Sequence, residues 1–260
     1  MEIYEYFRLK CDASAEGIFT GIYEAYAMHL PKNAVKICIE ENPSPVLFTK
    51  EYEITSDEEK AQKVARTLQK KLGEENFLVL WEALYSNHIE RGDAIFHVVC
   101  RALDQKDPKG IMEEMADPYV MKVFEMSRFT RREFWHLRGF LRFCELESGV
   151  LYGVVAPVND VLPFLADHFS DRFPKENFLI YDKKRHYFIV HESGQMWYQR
   201  KGEALEEDKL IFSYIEENYR ALFTHFCTSI GIKARTNEKL QQQMLPLRFR
   251  ADMVEFRKKI

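Results

Sequence analysis

Apolar residues recur at helical spacing through the first part of the chain. Ser56 and Glu59 form a capping-box pattern, an apolar face continues from Ala61 to Leu72, and Gly73 ends the segment. Two further apolar stripes follow at the same spacing: Phe77, Leu80, Trp81 and Leu84, and then Ile95, Val98, Val99 and Ala102. This periodicity predicts amphipathic helices whose stripes form a core.

Two Asp-Pro pairs mark further helix starts, because aspartate caps a helix N-terminus and proline suits the first helical position. They are Asp107-Pro108 and Asp117-Pro118, and the second begins a helix predicted to end near Trp135. We place a boundary there, between a mainly helical region at 1–117 and an α+β region at 118–260. A single compact domain is the alternative.

Beyond Trp135 the apolar period changes to two, which is typical of β-strands. One hairpin is predicted from Leu137 to Ala156, with its turn at 147–149. A second is predicted from Phe178–Asp182 and His186–His191, and a helix at 159–173 separates the two. The expected fold class is therefore α+β, with a C-terminal antiparallel sheet of two hairpins covered by helices. A last helix is predicted at 206–226, followed by a basic tail.

Composition and cysteine usage favour a folded protein of the cytoplasm. Hydrophobic residues make up 46% and charged residues 30% of the 260 positions, which is typical of globular chains. The five cysteines are scattered and form no C-x-x-C pair, so neither a zinc site nor an iron–sulfur cluster is predicted. The N-terminus lacks a secretory apolar segment, and no apolar run approaches the length of a membrane span.

Charge is distributed unevenly along the chain. Residues 1–120 contain 14 Lys and Arg against 22 Asp and Glu, a net charge of −8, so residues 121–260 carry +4 because the whole chain carries −4. A polyanion is therefore expected to meet the second half.

The segment His136-Leu137-Arg138-Gly139-Phe140-Leu141-Arg142-Phe143 carries the main candidate site. In a strand, His136, Arg138, Phe140 and Arg142 share one side. Two guanidinium groups around an aromatic ring provide cations for phosphates and a flat surface for a base, as single-stranded nucleic acid requires. In the alternative interpretation, Phe140 packs in the core and the arginines pair with nearby carboxylates.

Other cations extend this candidate interface. The added residues are Arg131 and Arg132 on the preceding helix, Lys183, Lys184 and Arg185 in the second hairpin turn, and Arg248 and Arg250 in the tail. A charged turn and a solvated basic terminus are the alternatives for the last two groups.

A second constellation lies at His168, Asp171 and Arg172, which helical spacing brings together. His168, Asp171 and Asp182 are candidates for general acid/base or metal-assisted chemistry on DNA, whereas an ion-pair network with Arg172 is the alternative. Familiar nucleotide-binding, zincin and serine-hydrolase motifs are absent. No resident metal or cofactor is predicted, and the sequence alone does not establish catalysis.

Several blocks together resemble a bacterial family named as probable DNA metabolism proteins. The blocks are DASAEGIFTGIYEAY at 12–26, HLRGFLRF at 136–143, PVNDVLPFLADHFSDRF at 157–173, YDKKR at 181–185, and a tail with Arg235, Asn237, Gln242, Met244, Pro246 and Arg248. The family domain also occurs fused in front of uracil-DNA glycosylase-like domains. The resemblance implies an accessory role in DNA repair, beside a radical S-adenosylmethionine (SAM) protein and a uracil-DNA glycosylase.

The leading hypothesis is an accessory protein of DNA metabolism that binds single-stranded DNA through its second half. Two alternatives remain open. One is a DNA-processing hydrolase that uses His168, Asp171 and Asp182, and the other is a protein-binding adaptor without DNA affinity.

Overall fold

The computed structural model describes residues 5–40, 43–203, 210–230, 232 and 236–256. The chain divides into two compact units, Met1–Arg131 and Arg132–Ile260. The strands are β1 Tyr6–Lys10, β2 Val35–Cys38, β3 Thr49–Glu53, β4 Phe143–Glu145, β5 Leu151–Val155, β6 Phe178–Asp182, β7 Tyr187–His191 and β8 Tyr198–Lys201. The helices are α1 Ala15–Ala27, α2 Glu58–Leu72, α3 Glu74–Leu84, α4 Arg91–Asp104, α5 Pro118–Phe140, α6 Leu162–Arg172, α7 Tyr214–Ser229, α8 Glu238–Met244 and α9 Leu247–Arg250.

Parts of the predicted C-terminal segments lie outside the described residues. These parts are 206–209 of the last predicted helix and the tail residues Lys233, Arg235, Arg257, Lys258 and Lys259. Within the described ranges, none of the helices combines the length and apolar character that crossing a bilayer requires.

The first unit contains a parallel sheet that the sequence analysis missed. Its strand order is β2-β1-β3, and α1 forms the crossover from β1 to β2. The strands are short, and on one face they carry charged residues, including an Arg8–Glu51 ion pair at 2.7 Å. Such strands give a weak period-two signal, so the expectation of a mainly helical region did not include this sheet.

The predicted helices of the first unit are confirmed as α2, α3 and α4. The cap of α2 is Asp57, whose side chain accepts a hydrogen bond from the Lys60 backbone N–H at 3.0 Å. Ser56 instead donates its hydroxyl to Asp12. Gly73, at φ +78°, ends α2 as predicted, because glycine tolerates a positive φ.

Helix α5 continues past the predicted end at Trp135 to Phe140. Leu137 and Leu141 are both buried, and their spacing of four residues suits a helix face as well as a strand. The ring of His136 stacks on Phe140, also four residues away, at 5.7 Å between centroids. The prediction of a strand through Leu137–Phe140 was therefore wrong, and the first strand of the hairpin is only Phe143–Glu145.

The second unit holds a five-stranded sheet in the order β4-β5-β6-β7-β8. Both predicted hairpins are present, as the antiparallel pairs β4/β5 and β6/β7. The two hairpins meet through β5 and β6, which are parallel because α6 carries the chain back across the sheet. The sheet is therefore mixed, which corrects the prediction of a purely antiparallel one. Strand β8, exposed along its length, was not predicted.

Candidate nucleic-acid interface

The C-terminal half of α5 has one buried and one exposed side. Glu133 and Leu137 are buried, whereas Arg132, Trp135 and Arg138 are exposed. Their spacing of three residues keeps the exposed side chains on neighbouring turns. The helix therefore presents two guanidinium groups and one indole to solvent.

Trp135 and Arg138 contact each other directly. The guanidinium carbon of Arg138 lies 4.2 Å from the Trp135 ring centroid, and Trp135 is 53% exposed. A cation over an aromatic face is a favourable contact, worth about 0.5–1 kcal/mol at an exposed site. Among the described residues, no carboxylate forms an ion pair with Arg138. Its charge is therefore available to an anion.

Helix α6 brings His168 and Arg172 towards Arg138. The His168 ring contacts Phe134 of α5 edge-on, at 6.4 Å between centroids. Burial lowers the pKa of His168, the charges of Arg138 and Arg172 lower it further, and Asp171 opposes them. His168 thus favours the neutral form at the edge of a cationic surface. We call Trp135, Arg138, His168 and Arg172 the α5/α6 face.

Phe140 and His136 pack inward rather than forming an open stacking surface. The Phe140 ring lies 5.6 Å from Phe249, which is buried, and the His136 ring lies 5.6 Å from the same phenylalanine. Burial lowers the pKa of His136, as do the charges of Arg132 and Arg248. The predicted sharing of one strand side by His136, Arg138, Phe140 and Arg142 was wrong, because the helix turns Arg138 away from His136 and Phe140, and Arg142 lies beyond its end.

Arg142 is engaged within the protein. Its guanidinium forms an ion pair with Glu255 at 2.9 Å and donates to the carbonyl oxygen of Gly139, also at 2.9 Å. Only 26% of its side chain is exposed. A phosphate would therefore have to displace a carboxylate to reach it.

Arg131, in the first unit, is also neutralised. Its guanidinium donates to both carboxylate oxygens of Glu82, at 2.7 to 3.0 Å, and Glu82 is buried. This paired geometry raises the pKa of Arg131, because the guanidinium donates hydrogen bonds to the Glu82 carboxylate, and it fixes the guanidinium.

The predicted tail cations make internal contacts. Arg248 lies 3.5 Å from a carboxylate oxygen of Glu133 and 4.6 Å from the Phe249 ring centroid, with 54% of its side chain exposed. Arg250 donates to the carbonyl oxygen of Leu245 at 3.2 Å. Arg248 keeps an outward surface, whereas Arg250 helps to close the α8 to α9 turn.

The turn after β6 is organised by Asp182, which is fully buried. Its carboxylate accepts from the backbone N–H of Lys184 at 2.7 Å and pairs with Arg185 at 2.9 Å. Arg185 also donates to the carbonyl oxygen of Val158 at 2.6 Å. Lys183 pairs with Asp252 at 2.6 Å, and Lys184 points to solvent.

The three catalytic candidates His168, Asp171 and Asp182 differ in whether their side chains are already engaged within the protein. His168 and the exposed Asp171 lie on α6, whereas the Asp182 carboxylate is occupied by its own turn. Among the described residues, no group of three or more His, Cys, Asp or Glu side chains could hold a metal ion. Asp182 is thus explained as a structural residue.

Trp135 is the member of the α5/α6 face that the sequence analysis missed. The predicted helix ends at this residue and therefore does not include the contact of its side chain with Arg138, one turn later. Continuing the helical spacing through 132, 135 and 138 would have placed the three together.

Comparison with known proteins identifies one family. A family model described as a domain of unknown function, DUF4130, matches residues 89–255. No curated protein matches the chain.

Proposed function

Because the chain belongs to the DUF4130 family, whose domain has no assigned function, we propose a function from its own surface. The protein binds single-stranded nucleic acid on the α5/α6 face, as an accessory protein of DNA metabolism. The observation that carries the proposal is the exposed Trp135 ring beneath the Arg138 guanidinium at 4.2 Å.

The chemistry of this pair suits an unpaired strand. An exposed indole offers a flat surface to any base, and stacking on one aromatic side chain contributes about 1–3 kcal/mol per base. Arg138 and Arg172 provide charges for the flanking phosphates. In a duplex the bases are already stacked on each other, so the indole adds little there.

Fluorescence anisotropy of labelled single- and double-stranded oligonucleotides, titrated over a range of salt concentrations, tests this proposal. Trp135→Ala should weaken single-strand binding by roughly 5- to 150-fold, the equivalent of one stacked base. Phe129→Ala is the matched control, since Phe129 is an aromatic of the same helix that is 64% exposed. Equal affinity of the wild type and Trp135→Ala for single strands would refute the proposal.

The resemblance to DNA metabolism proteins supports two partners for this activity, a radical SAM protein and a uracil-DNA glycosylase. Such a division of labour needs no cluster-binding cysteines in this chain, because the partner would supply that chemistry. Co-purification of each candidate with the full chain tests the two partnerships separately.

A second candidate function, a protein-binding adaptor, is favoured by α7. Ile215, Tyr219, Leu222 and Phe226 lie along this helix at spacings of four, three and four residues, and all are more than half exposed. Contiguous exposed apolar side chains are typical of protein contacts. Leu222→Glu should abolish capture of the radical SAM protein if α7 binds it, while single-strand binding should persist.

A further inference from the structure

A cleft of about 350 Å³ opens in the first unit, where β1, β2 and β3 begin. Phe7, Val35 and Val46 contribute apolar walls, while Asp93 and His97 of α4 contribute polar groups. This volume falls in the range of small-molecule sites, about 300–1,000 Å³.

Asp93 holds a buried acceptor that lacks a donor. Its Oδ1 is inaccessible to solvent and has no hydrogen-bond partner among the described residues. Nε2 of His97 lies 3.8 Å away, too far for a hydrogen bond. An unpaired buried acceptor costs about 1–3 kcal/mol, so buried polar atoms without partners call for an explanation. The His97 side chain is 21% exposed and the Asp93 side chain 15% exposed, and both line the cleft.

The His97 ring is held in position for such a contact. It stacks on Tyr119 at 4.1 Å between centroids, with an interplanar angle of 21°. Burial raises the pKa of Asp93, whereas the charges of His97 and Lys36 and the backbone N–H of Ile37 lower it. The pair can therefore present a carboxylate acceptor and an imidazole ring from fixed positions.

The other polar groups of the cleft favour an uncharged ligand. Arg8 is occupied by Glu51 and by the Ser44 carbonyl oxygen, at 2.7 and 3.0 Å. Lys36 and Asp93 carry opposite charges, and Asn33 adds an amide donor and acceptor. A neutral molecule with adjacent donors and acceptors fits this balance better than an anion or a cation.

We infer that this cleft binds a neutral, planar heteroaromatic ring with an N–H donor beside a ring-nitrogen or carbonyl acceptor, which is the chemistry of a nucleobase. The apolar walls would contact the ring faces, and Asp93 and His97 would bind its polar edge. This site shares no residue with the α5/α6 face and does not depend on the function proposed there.

Isothermal titration calorimetry of the full chain with adenosine, guanosine, cytidine and thymidine tests the inference. Saturable binding of at least one nucleoside is expected. Val46→Trp should fill the mouth of the cleft and weaken that binding by about tenfold or more, equivalent to 1.4 kcal/mol. Val46 is 54% exposed, so the substitution should not disturb folding, and Leu47→Trp at the 82% exposed neighbouring position is the matched control.

Asp93→Asn provides a second test, because it changes the acceptor set without changing side-chain size. It should alter which nucleoside binds best, while Trp135→Ala should leave nucleoside binding unchanged. Absence of saturable binding for all four nucleosides would overturn the inference, as would equal affinities for Val46→Trp and the wild type. Neither result would bear on oligonucleotide binding by Trp135.

Discussion

Glu133 accepts hydrogen bonds from both the backbone N–H and the side-chain amide of Asn159, at 2.7 and 2.8 Å. The backbone N–H of Val158 donates to the same carboxylate at 2.9 Å. One buried carboxylate of α5 thus satisfies three donors in the loop between β5 and α6. The loop orients α6, and α6 carries the His168 and Arg172 side chains of the α5/α6 face.

Glu133→Ala should lower the free energy of unfolding by about 2–5 kcal/mol, because it leaves buried donors without an acceptor. Urea denaturation followed by circular dichroism measures this change. Glu125→Ala, at an exposed position of the same helix, should change stability by less than about 0.5 kcal/mol. Equal stability of Glu133→Ala and Glu125→Ala would contradict the structural role of Glu133.

Arg138 and Arg142 should differ sharply although they lie four residues apart. Arg138→Ala should preserve stability and reduce the salt dependence of single-strand binding, by about 0.7 in the log–log slope for one lost phosphate contact. Arg142→Ala should instead lower the free energy of unfolding by about 1–3 kcal/mol, because Glu255 loses its ion-pair partner. Denaturation measures the stability of both variants, and salt-titrated anisotropy measures their salt dependence of single-strand binding. A stability loss in Arg138→Ala together with a reduced salt dependence in Arg142→Ala would contradict the prediction.

The pKa of His168 should lie below its usual value of 6.5 because of burial and the charges of Arg138 and Arg172. A histidine with a depressed folded pKa binds fewer protons in the folded state, so stability should decrease as the pH falls from about 6.5 through that pKa. Arg138→Ala removes one repelling charge and should raise the pKa. Histidine-resolved NMR titration measures the pKa of His168, with Arg66→Ala on α2 as the control. An identical pKa of His168 in the wild type and in Arg138→Ala would show that the charge of Arg138 does not act on His168.

Cys11 should resist alkylation while the protein is folded. Burial raises the pKa of its thiol to about 12, so the reactive thiolate is scarce at neutral pH. Iodoacetamide labelling with peptide mapping should modify Cys11 only after denaturant is added. Cys227, which is partly exposed on α7, should react in the folded protein and serves as the internal control. Rapid labelling of folded Cys11 would contradict its burial.

The sheet of the first unit shows which elements hydrophobic periodicity does not predict. Long helices such as α2 and α4 were predictable because many turns repeat one spacing, and Gly73 also marks the end of α2. Strands β1, β2 and β3 offer four or five residues each, and their charged faces pair across the sheet. Such strands become stable only through neighbours that are distant in the chain.

The sequence by itself determined the α+β class, both C-terminal hairpins and the apolar face of α6, because each depends on local periodicity and turn residues. Only the tertiary structure decided whether 137–140 is helix or strand, since buried Leu137 and Leu141 satisfy both periods until the packing partners are known. The same packing decided which arginines face solvent. Arg142 pairs with Glu255, distant in sequence, whereas Arg138 lies over the ring of Trp135 and near His168 and forms no ion pair with a carboxylate of the described residues.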